Sequence, residues 1–306
     1  MKSLKRFFLL LTVLAILCIL PYPNSHARRD ESSDSFTIIW LADTQDMAYG
    51  KYDHALRKMG KWIMDCRKPM NIRYIVQTGD AVDNGASDWQ WGVFDEMYLQ
   101  FRGKIPYISA AGNHDVKKHG YLEYLQRPQV QDIPQGNRFR NGESAYSTLE
   151  IKGRKFIFVA IGFGVEKASV DWANEVLRQH RDYTAILLIH DYLQTGGRFG
   201  ITGKAIFHAI VEPNPNVRFV LCGHVKGVSS RFDKIDDNDD GVPDRTVTQL
   251  MYNYQHFKDK CGQLRIMEFN PRDHSVTITT YSPVTKRYYR DYLFGDRPIF
   301  TLKDAY

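Results

Sequence analysis

Short apolar runs alternate with amphipathic segments through the first two thirds of the chain. Six runs are rich in β-branched and aromatic residues and mostly uninterrupted, which is typical of strands buried on both faces. Four segments between them carry apolar residues three and four positions apart, which predicts helices. The predicted strands are Phe36–Leu41, Arg73–Val76, Ile105–Ser109, Lys155–Ile161, Ala185–Ile189 and Val217–Cys222, and the predicted helices are Tyr52–Met64, Trp89–Phe101, Ser169–Gln179 and Lys204–Val211.

From about Val228 onward, the pattern changes to short segments in which apolar and polar residues alternate. Such alternation is typical of strands with one face on a core, and no helical pattern separates them. We therefore expect an α/β (α+β) fold in which a second, more antiparallel sheet packs on the first. The segments are Val228–Phe232, Thr246–Tyr254, Gly262–Phe269 and Ser275–Ser282.

The first 27 residues have the three parts of a secretory signal peptide. Met1–Arg6 is basic, Phe7–Leu20 carries no charge, and Ser25-His26-Ala27 places small residues at a cleavage site. An uncleaved membrane anchor is the alternative, but the apolar run is short for a bilayer. We expect cleavage near Ala27, a secreted or periplasmic protein, and no stable membrane association.

Composition supports an ordinary globular protein. Of the 306 residues, 43% are hydrophobic and 25% charged, which excludes collagen-like, coiled-coil and disordered chains. The net charge is +6, but no long run of Lys and Arg follows the signal peptide, so nucleic acid is not an expected partner. No linker or repeat is evident. We expect a disordered leader at 28–35 and one domain at 36–306.

Polar groups that can bind metal or phosphate directly follow five of the predicted strands. Because the carboxyl ends of parallel strands share one edge, these groups should meet in one crevice. Each motif alone has an ordinary explanation, such as a helix N-cap or a tight turn, but their joint occurrence favours a site. The motifs are Asp43-Thr44-Gln45, Gly79-Asp80-Ala81-Val82-Asp83-Asn84-Gly85, Gly112-Asn113-His114-Asp115, His190 and Gly223-His224.

The order of these motifs resembles that of the calcineurin-like metallophosphoesterase superfamily, over most of residues 36–282. The first and last motifs depart from its pattern, because Gln45 replaces a histidine of Asp-x-His and Lys226 replaces one of Gly-His-x-His. With Tyr252-Asn253-Tyr254-Gln255, these variants are similar to a secreted bacterial branch. The resemblance implies a four-layer αββα sandwich of two mixed sheets flanked by helices.

The resemblance also implies two divalent metal ions, Mn, Fe or Zn, held by nitrogen and oxygen ligands. Asp80 would bridge the ions, and the first ion would be held by Asp43 and Gln45. The second ion would be held by Asn113, His190 and His224.

The implied reaction is hydrolysis of a phosphate monoester or phosphodiester by a metal-bound hydroxide. His114 would stabilise the phosphoryl group or protonate the leaving alkoxide, and Asp83 would orient its ring. Asn84 stands where protein phosphatases of the superfamily have an arginine that binds phosphate. Asn84 is therefore a candidate substrate-binding residue, and the replacement favours a small phosphorylated substrate. The oligomeric state is not predicted.

Lys226 leaves two arrangements open, because an ammonium group cannot bind a cation. It could point outward while a residue of Asn253–His256 completes the first site, which we favour slightly. It could instead pair with Asp43 in place of the first ion and bind a substrate phosphate. The prediction is an uneven site, in which the second ion is held tightly and the first is weak or exchangeable. The competing hypothesis is a non-catalytic phosphate- or glycan-binding protein that retains the fold and one metal.

A second cation site is suggested by the acidic segment Asp236–Asp244. Its carboxylate and amide groups at alternate positions, with a glycine at the sixth, resemble the start of a calcium loop. Val247 takes the place of the closing glutamate, which excludes an EF-hand. Calcium binding and a solvated acidic turn are about equally expected.

Overall fold

The computed structural model describes residues 34–127, 137–289 and 299–306. The predicted signal peptide and the predicted leader, apart from its last two residues, lie outside this part of the chain. Within it, no helix has both the length and the apolar character needed to cross a membrane.

Two sheets form the centre of the molecule, with seven strands each among the described residues. The strands of the first sheet are β1 (Phe36–Leu41), β2 (Ile72–Gln77), β3 (Tyr107–Ser109), β11 (Leu264–Asn270), β12 (Ser275–Ser282), β13 (Arg287–Tyr289) and β14 (Ile299–Leu302). The strands of the second sheet are β4 (Arg138–Phe139), β5 (Ser144–Ile151), β6 (Arg154–Ile161), β7 (Thr184–Ile189), β8 (Val217–Cys222), β9 (Gly227–Ile235) and β10 (Arg245–Asn253).

Both sheets are mixed. The first has the order β13-β12-β11-β1-β2-β3, with β14 also paired to β12, and its parallel strands are β1, β2 and β3. The second has the order β4-β5-β6-β7-β8-β10-β9, with β6, β7, β8 and β10 parallel. Parallel neighbours need crossover connections. Helices provide them from β1 to β2, β2 to β3, β6 to β7 and β7 to β8, whereas β8 and β10 are connected through β9.

Helices cover the outer face of each sheet. They are α1 (Gln45–Ala48), α2 (Asp53–Cys66), α3 (Asp88–Phe101), α4 (Gly120–Leu125), α5 (Lys167–Gln179) and α6 (Ile201–Ile206), which continues as a π-helical turn at Phe207–Val211. Short 3₁₀ turns lie at Lys117–His119, Arg140–Gly142, Thr195–Gly197 and Gln255–Lys260.

Three apolar layers hold these elements together, and β1 shows how. Phe36, Ile38 and Trp40 point into the core between the sheets, whereas Ile39 and Leu41 pack against α2 and α3. A third cluster packs α5 and α6 on the second sheet. Since successive side chains point to opposite faces, a strand buried on both faces must be apolar throughout. The predicted architecture of two mixed sheets flanked by helices is confirmed.

The prediction that the C-terminal strands form their own sheet is wrong. The strands β9 and β10 extend the second sheet beside β8, whereas β11 and β12 extend the first sheet beside β1. Alternation along a strand specifies which face is buried, but it carries no information about which neighbour the strand pairs with.

The prediction that all five polar motifs lie at the edge of one parallel sheet is also wrong, because the strands that precede them belong to two sheets. Three motifs follow β1, β2 and β3 of the first sheet, and two follow β7 and β8 of the second. The carboxyl ends of both sets lie at the same end of the stacked sheets, so the crevice lies between two sheets.

Candidate metal centre

Three candidate ligands lie in turns that follow a strand, and each has a left-handed backbone conformation. Asp43, Asp80 and His224 have φ angles of 50°, 50° and 66°. Residues other than glycine rarely adopt this conformation, and such strain is concentrated at functional sites. The turns point these side chains away from the strand ends and towards the space between the sheets.

Three side chains converge on the Nε2 atom of His190. This atom lies 3.1 Å from Oδ1 of Asn113, 3.3 Å from Oδ2 of Asp80 and 3.2 Å from Nδ1 of His224. The ligand atoms of Asp80, His190 and His224 all lie within 4.8 Å of one another. The structure therefore brings together the set predicted for the second ion.

The ring of His190 is oriented by the backbone of the first sheet. Its Nδ1 atom lies 2.8 Å from the carbonyl oxygen of Thr78. Because a carbonyl oxygen can only accept a hydrogen bond, Nδ1 carries a proton and donates it. Once Nε2 has lost its proton, that bond leaves it with a lone pair directed into the cluster. Hydrogen bonding of the second ring nitrogen to a carbonyl is the usual arrangement for a histidine that binds a metal.

The side chains predicted for the first ion lie beside the same cluster. Gln45 donates from Nε2 to Oδ2 of Asp80 at 3.0 Å, while its Oε1 atom is buried and has no hydrogen-bond partner. Asp43 is buried and accepts from the backbone N–H of His224 at 3.0 Å. A buried oxygen without a partner is costly in a protein interior, and a cation held with Asp43 and Asp80 would satisfy it.

Buried charges of opposite sign are concentrated in the cluster. Burial favours neutral His190, but the hydrogen bond and charge of Asp80 outweigh it and raise the pKa of His190 to about 9. Burial likewise opposes ionisation of Asp80, yet His190 lowers its pKa. Burial and the Asp80 charge hold the pKa of Asp43 well above its ordinary value. A cation would replace the proton on His190 as the partner of these carboxylates.

This ion pair predicts how the stability of chelator-treated protein depends on pH. The pKa of His190 is raised from its ordinary value of 6.5 to about 9 in the folded state. The stabilisation that its ion pair with Asp80 gives to the fold is therefore fully present below pH 6.5 and is lost as the pH rises through 9. We expect the melting temperature of metal-free protein to fall as the pH rises from about 6.5 through 9. His190→Asn should flatten this slope, and a melting temperature that rises over the interval would contradict the assignment.

Asp115 connects two loops that carry candidate ligands by hydrogen bonds. Its Oδ2 atom accepts from the N–H of Gly112 at 2.9 Å, and its Oδ1 atom accepts from Val82 at 3.1 Å. The carboxylate is fully buried. Burial and the charge of Asp80 raise the pKa of Asp115 to about 7. The Gly-Asn-His-Asp motif thus includes a residue that joins two loops of the site.

Glycines allow the carboxylates to approach the backbone. A Cβ atom on Gly223 would lie 2.1 Å from Oδ2 of Asp43, and one on Gly112 would lie 2.1 Å from Oδ1 of Asp80. Neither glycine has a positive φ. The requirement at these two positions is therefore for space rather than for backbone freedom.

Gly223→Ala is accordingly expected to displace the carboxylate of Asp43. Activity should fall by ~10- to 100-fold, since the added methyl group acts on a ligand rather than on the chemistry. Gly92→Ala is the matched control, because its Cβ atom would meet nothing within 4 Å in the middle of α3. That control should keep full activity and gain ~0.5–1 kcal/mol in unfolding free energy. Equal activities of the two variants would show that Asp43 is not required.

His114 lies at the exposed side of the cluster. Its backbone N–H donates to Oδ1 of Asp80 at 3.0 Å, and its Nδ1 atom lies 2.9 Å from Oδ1 of Asp83. The ammonium of Lys117 approaches the same Nδ1 atom at 2.9 Å and the carbonyl oxygen of Asp83 at 2.8 Å. The structure thus brings Asp83 and His114 together. Sequence reasoning missed Lys117, because nothing in its spacing distinguishes it from a solvated lysine.

Lys226 lies at the rim rather than in the cluster. Its side chain is exposed. Burial raises the pKa of Asp46, a half-buried neighbour of Gln45, and the positive charge of Lys226 partly offsets that rise. The described residues show no ion pair between Lys226 and Asp43. Asn253 is buried and donates to the carbonyl oxygen of His224 at 3.1 Å, so it positions the loop of a ligand.

Asn84 is placed in a turn. Its side-chain oxygen accepts from the N–H of Ala86 at 3.3 Å, and its own N–H donates to the side chain of Gln90 at 2.8 Å. The residue is exposed. These contacts shape the loop after Asp83, and a role in substrate binding stays a prediction.

The acidic segment Asp236–Asp244 connects β9 to β10 as an exposed loop. Asp236 accepts from the N–H groups of Asp240 and Gly241, which curls the loop around its carboxylate. Asp237 is bound by the guanidinium of Arg245 at 2.8 Å. Calcium binding here stays a prediction.

Comparison with known proteins identifies the family of this chain. A family model described as calcineurin-like phosphoesterase matches residues 36–226. The "Uncharacterized protein YvnB" of Bacillus subtilis is 36% identical over 281 residues, which are 89% of this chain and 22% of that protein. The chain thus spans about a fifth of the length of that relative.

A more distant relative and a solved structure agree with this placement. The "Probable cyclic nucleotide phosphodiesterase" of Moraxella catarrhalis is 26% identical over 212 residues, covering 64% of this chain and 73% of that protein. Purple acid phosphatase PPD1 of yellow lupin is 13% identical with a TM-score of 0.59, over 89% of this chain and 54% of that one, and supports the fold alone. The chain belongs to the calcineurin-like phosphoesterase family.

Proposed function

We propose that the chain hydrolyses a phosphate monoester or phosphodiester of a small molecule with the help of two divalent metal ions. The observation that carries the proposal is the convergence of Asp80, Asn113 and His224 on the Nε2 atom of His190. His114 lies one residue beyond Asn113 at the open side of this group. A ligand cluster and a ring capable of proton transfer therefore face the same space.

The donor set suits divalent ions such as Mn, Fe or Zn, since it contains only nitrogen and oxygen atoms. Asn113, His190 and His224 would hold the second ion, and Asp80 would be shared with the first. Asp43 and Gln45 would complete the first site, where the unpartnered Oε1 atom of Gln45 supports a role as ligand. Bound ions would supply positive charge for the phosphoryl oxygens and make an attacking water more acidic.

The protein's own groups account for orientation and proton transfer. In the tautomer that carries a proton on Nδ1, His114 would donate to Asp83, and this bond would direct the opposite ring edge towards the substrate. A protonated His114 could then donate to the leaving alkoxide. Lys117 adds a positive charge beside this pair, which favours binding of a phosphate anion.

The two ions should differ in affinity. The first site has a neutral amide in Gln45, and Lys226 brings a positive charge to the rim, whereas the second site has two imidazoles and an amide. After dialysis against limiting chelator, elemental analysis should find about one ion per chain, with a second restored only at excess metal. Two ions retained equally under the same dialysis would refute the uneven site.

A hydrolysis panel tests the activity and its substrate class. We would assay aryl phosphates, bis-aryl phosphodiesters, nucleotides and cyclic nucleotides with Mn, Zn or Mg; the name of the Moraxella relative motivates the last group. Turnover that is lost on chelation and restored by metal supports the proposal. Binding of phosphate compounds without any turnover would support the alternative, a non-catalytic phosphate- or glycan-binding protein, which the substitutions at Gln45 and Lys226 motivate.

We also propose that the mature protein is exported, on the basis of the basic, apolar and small-residue segments within residues 1–27. N-terminal sequencing of protein recovered from the extracytoplasmic fraction should begin near residue 28. Recovery of the full-length chain from the cytoplasm alone would contradict export.

A further inference from the structure

A cavity of about 140 Å³ lies beside the candidate metal centre and is not part of it. Ala111 and Val116 form the wall on the side of the Gly-Asn-His-Asp loop. Phe163 also lines the cavity, and its ring centre lies 6.2 Å from that of His190. The cavity therefore begins where the ligand cluster ends.

The walls are mostly apolar. Tyr121 and Leu122 of α4 contribute further apolar surface, and Glu143 and His119 are the residues with acidic or basic side chains among the described lining residues. Glu143 lies 3.6 Å from Arg140, too far for a hydrogen bond, and is about a quarter exposed. An apolar pocket with a few polar groups is typical of a small-molecule site.

Close backbone contacts fix the shape of the cavity. A Cβ atom on Gly162 would lie 2.3 Å from the carbonyl oxygen of Glu143, and one on Gly120 would lie 1.9 Å from that of Gly85. The two walls are thus held by packing that tolerates no side chain at either glycine. A preformed pocket costs less to fill than one that must open.

We propose that this cavity binds an aromatic ring of the substrate that carries an amino group, as a nucleobase does, while the phosphoester lies at the metal centre. An apolar cavity of about 150 Å³ accommodates one benzene ring, so the volume suits an aromatic ring. Phe163 offers a face for stacking. Glu143 offers a charged acceptor to the amino group. This inference rests on the proposed function, because it assumes that the substrate is a phosphoester.

Binding of the fluorescent nucleoside 2-aminopurine riboside to chelator-treated protein tests the cavity apart from catalysis. Saturable quenching is expected with the wild type. Leu122→Trp, which fills the cavity, should abolish it, whereas Leu99→Trp, on the exposed face of α3, should not. Glu143→Gln should weaken binding by ~10-fold, and its control Glu123→Gln, exposed on α4, should leave it unchanged.

Activity measurements separate this proposal from the function on which it rests. With metal restored, Leu122→Trp should raise KM for nucleotide esters and leave kcat/KM for a methyl phosphoester unchanged. Quenching that no cavity variant alters, or an equal effect on both esters, would overturn the subsite while leaving hydrolysis intact. Absence of all turnover together with intact, Leu122-dependent binding would overturn the proposed function and leave the subsite supported.

Discussion

Asp80→Asn is expected to abolish hydrolysis and to remove most of the bound metal. The carboxylate accepts from the N–H of His114 on one oxygen and from Gln45 on the other. An asparagine amide would place a donor against one of these donors and would lose the negative charge that the ions require. We expect kcat/KM to fall by at least ~10³-fold, since several kcal/mol of charge stabilisation depends on the ions.

The matched control for this substitution is Asp171→Asn. Asp171 is an exposed carboxylate that pairs with Lys167 along α5. Metal content and activity should stay at the wild-type level, because surface pairs contribute little. If Asp80→Asn kept both its metal and its turnover, Asp80 would not be the shared ligand.

His114→Asn is expected to reduce kcat by ~10²- to 10⁴-fold with little change in KM or in metal content. The ring faces the open side of the cluster and is only partly buried, so its replacement should cost little stability. If His114 protonates the leaving group, the loss should be larger for alkyl esters than for p-nitrophenyl esters, whose leaving group needs no proton.

His208→Asn provides the control for the loss of an imidazole. His208 is exposed on the π-helical turn and pairs with Glu212. Its replacement should change neither kcat nor the ratio between alkyl and aryl esters. An equal loss on both ester types with His114→Asn would remove the role as proton donor and leave only a role in charge stabilisation.

Strands buried on both faces could be predicted from the sequence with nearly correct bounds. Phe36–Leu41 and Val217–Cys222 are observed as predicted, because continuous apolar runs are required at such positions. Ser144–Ile151 was not predicted: several of its residues are polar and partly exposed, so it lacks a continuous apolar run. Local patterns also could not assign strands to sheets, because pairing joins residues far apart along the chain.

For the site too, local sequence motifs predicted some features, whereas contacts between distant parts of the chain could not be predicted. The order of the polar motifs predicted which residues would meet, since each follows a strand that must end at the crevice. The place of Lys117 beside His114, and of Asp46 near Lys226, depends on how loops from different strands pack. The cavity beside Phe163 likewise arises from three separate parts of the chain, residues 111–122, Glu143 and residues 162–163, and no motif marks it.

Anomalous diffraction from crystals equilibrated with Mn²⁺ would test the metal centre most directly. The expected result is a strong peak within bonding distance of Asp80, Asn113, His190 and His224. A weaker peak should lie beside Asp43 and Gln45 and grow with the metal concentration. A map with no peak between the two sheets, or with ions only at the acidic loop Asp236–Asp244, would contradict the proposal that these strand ends bind the ions that hydrolysis needs.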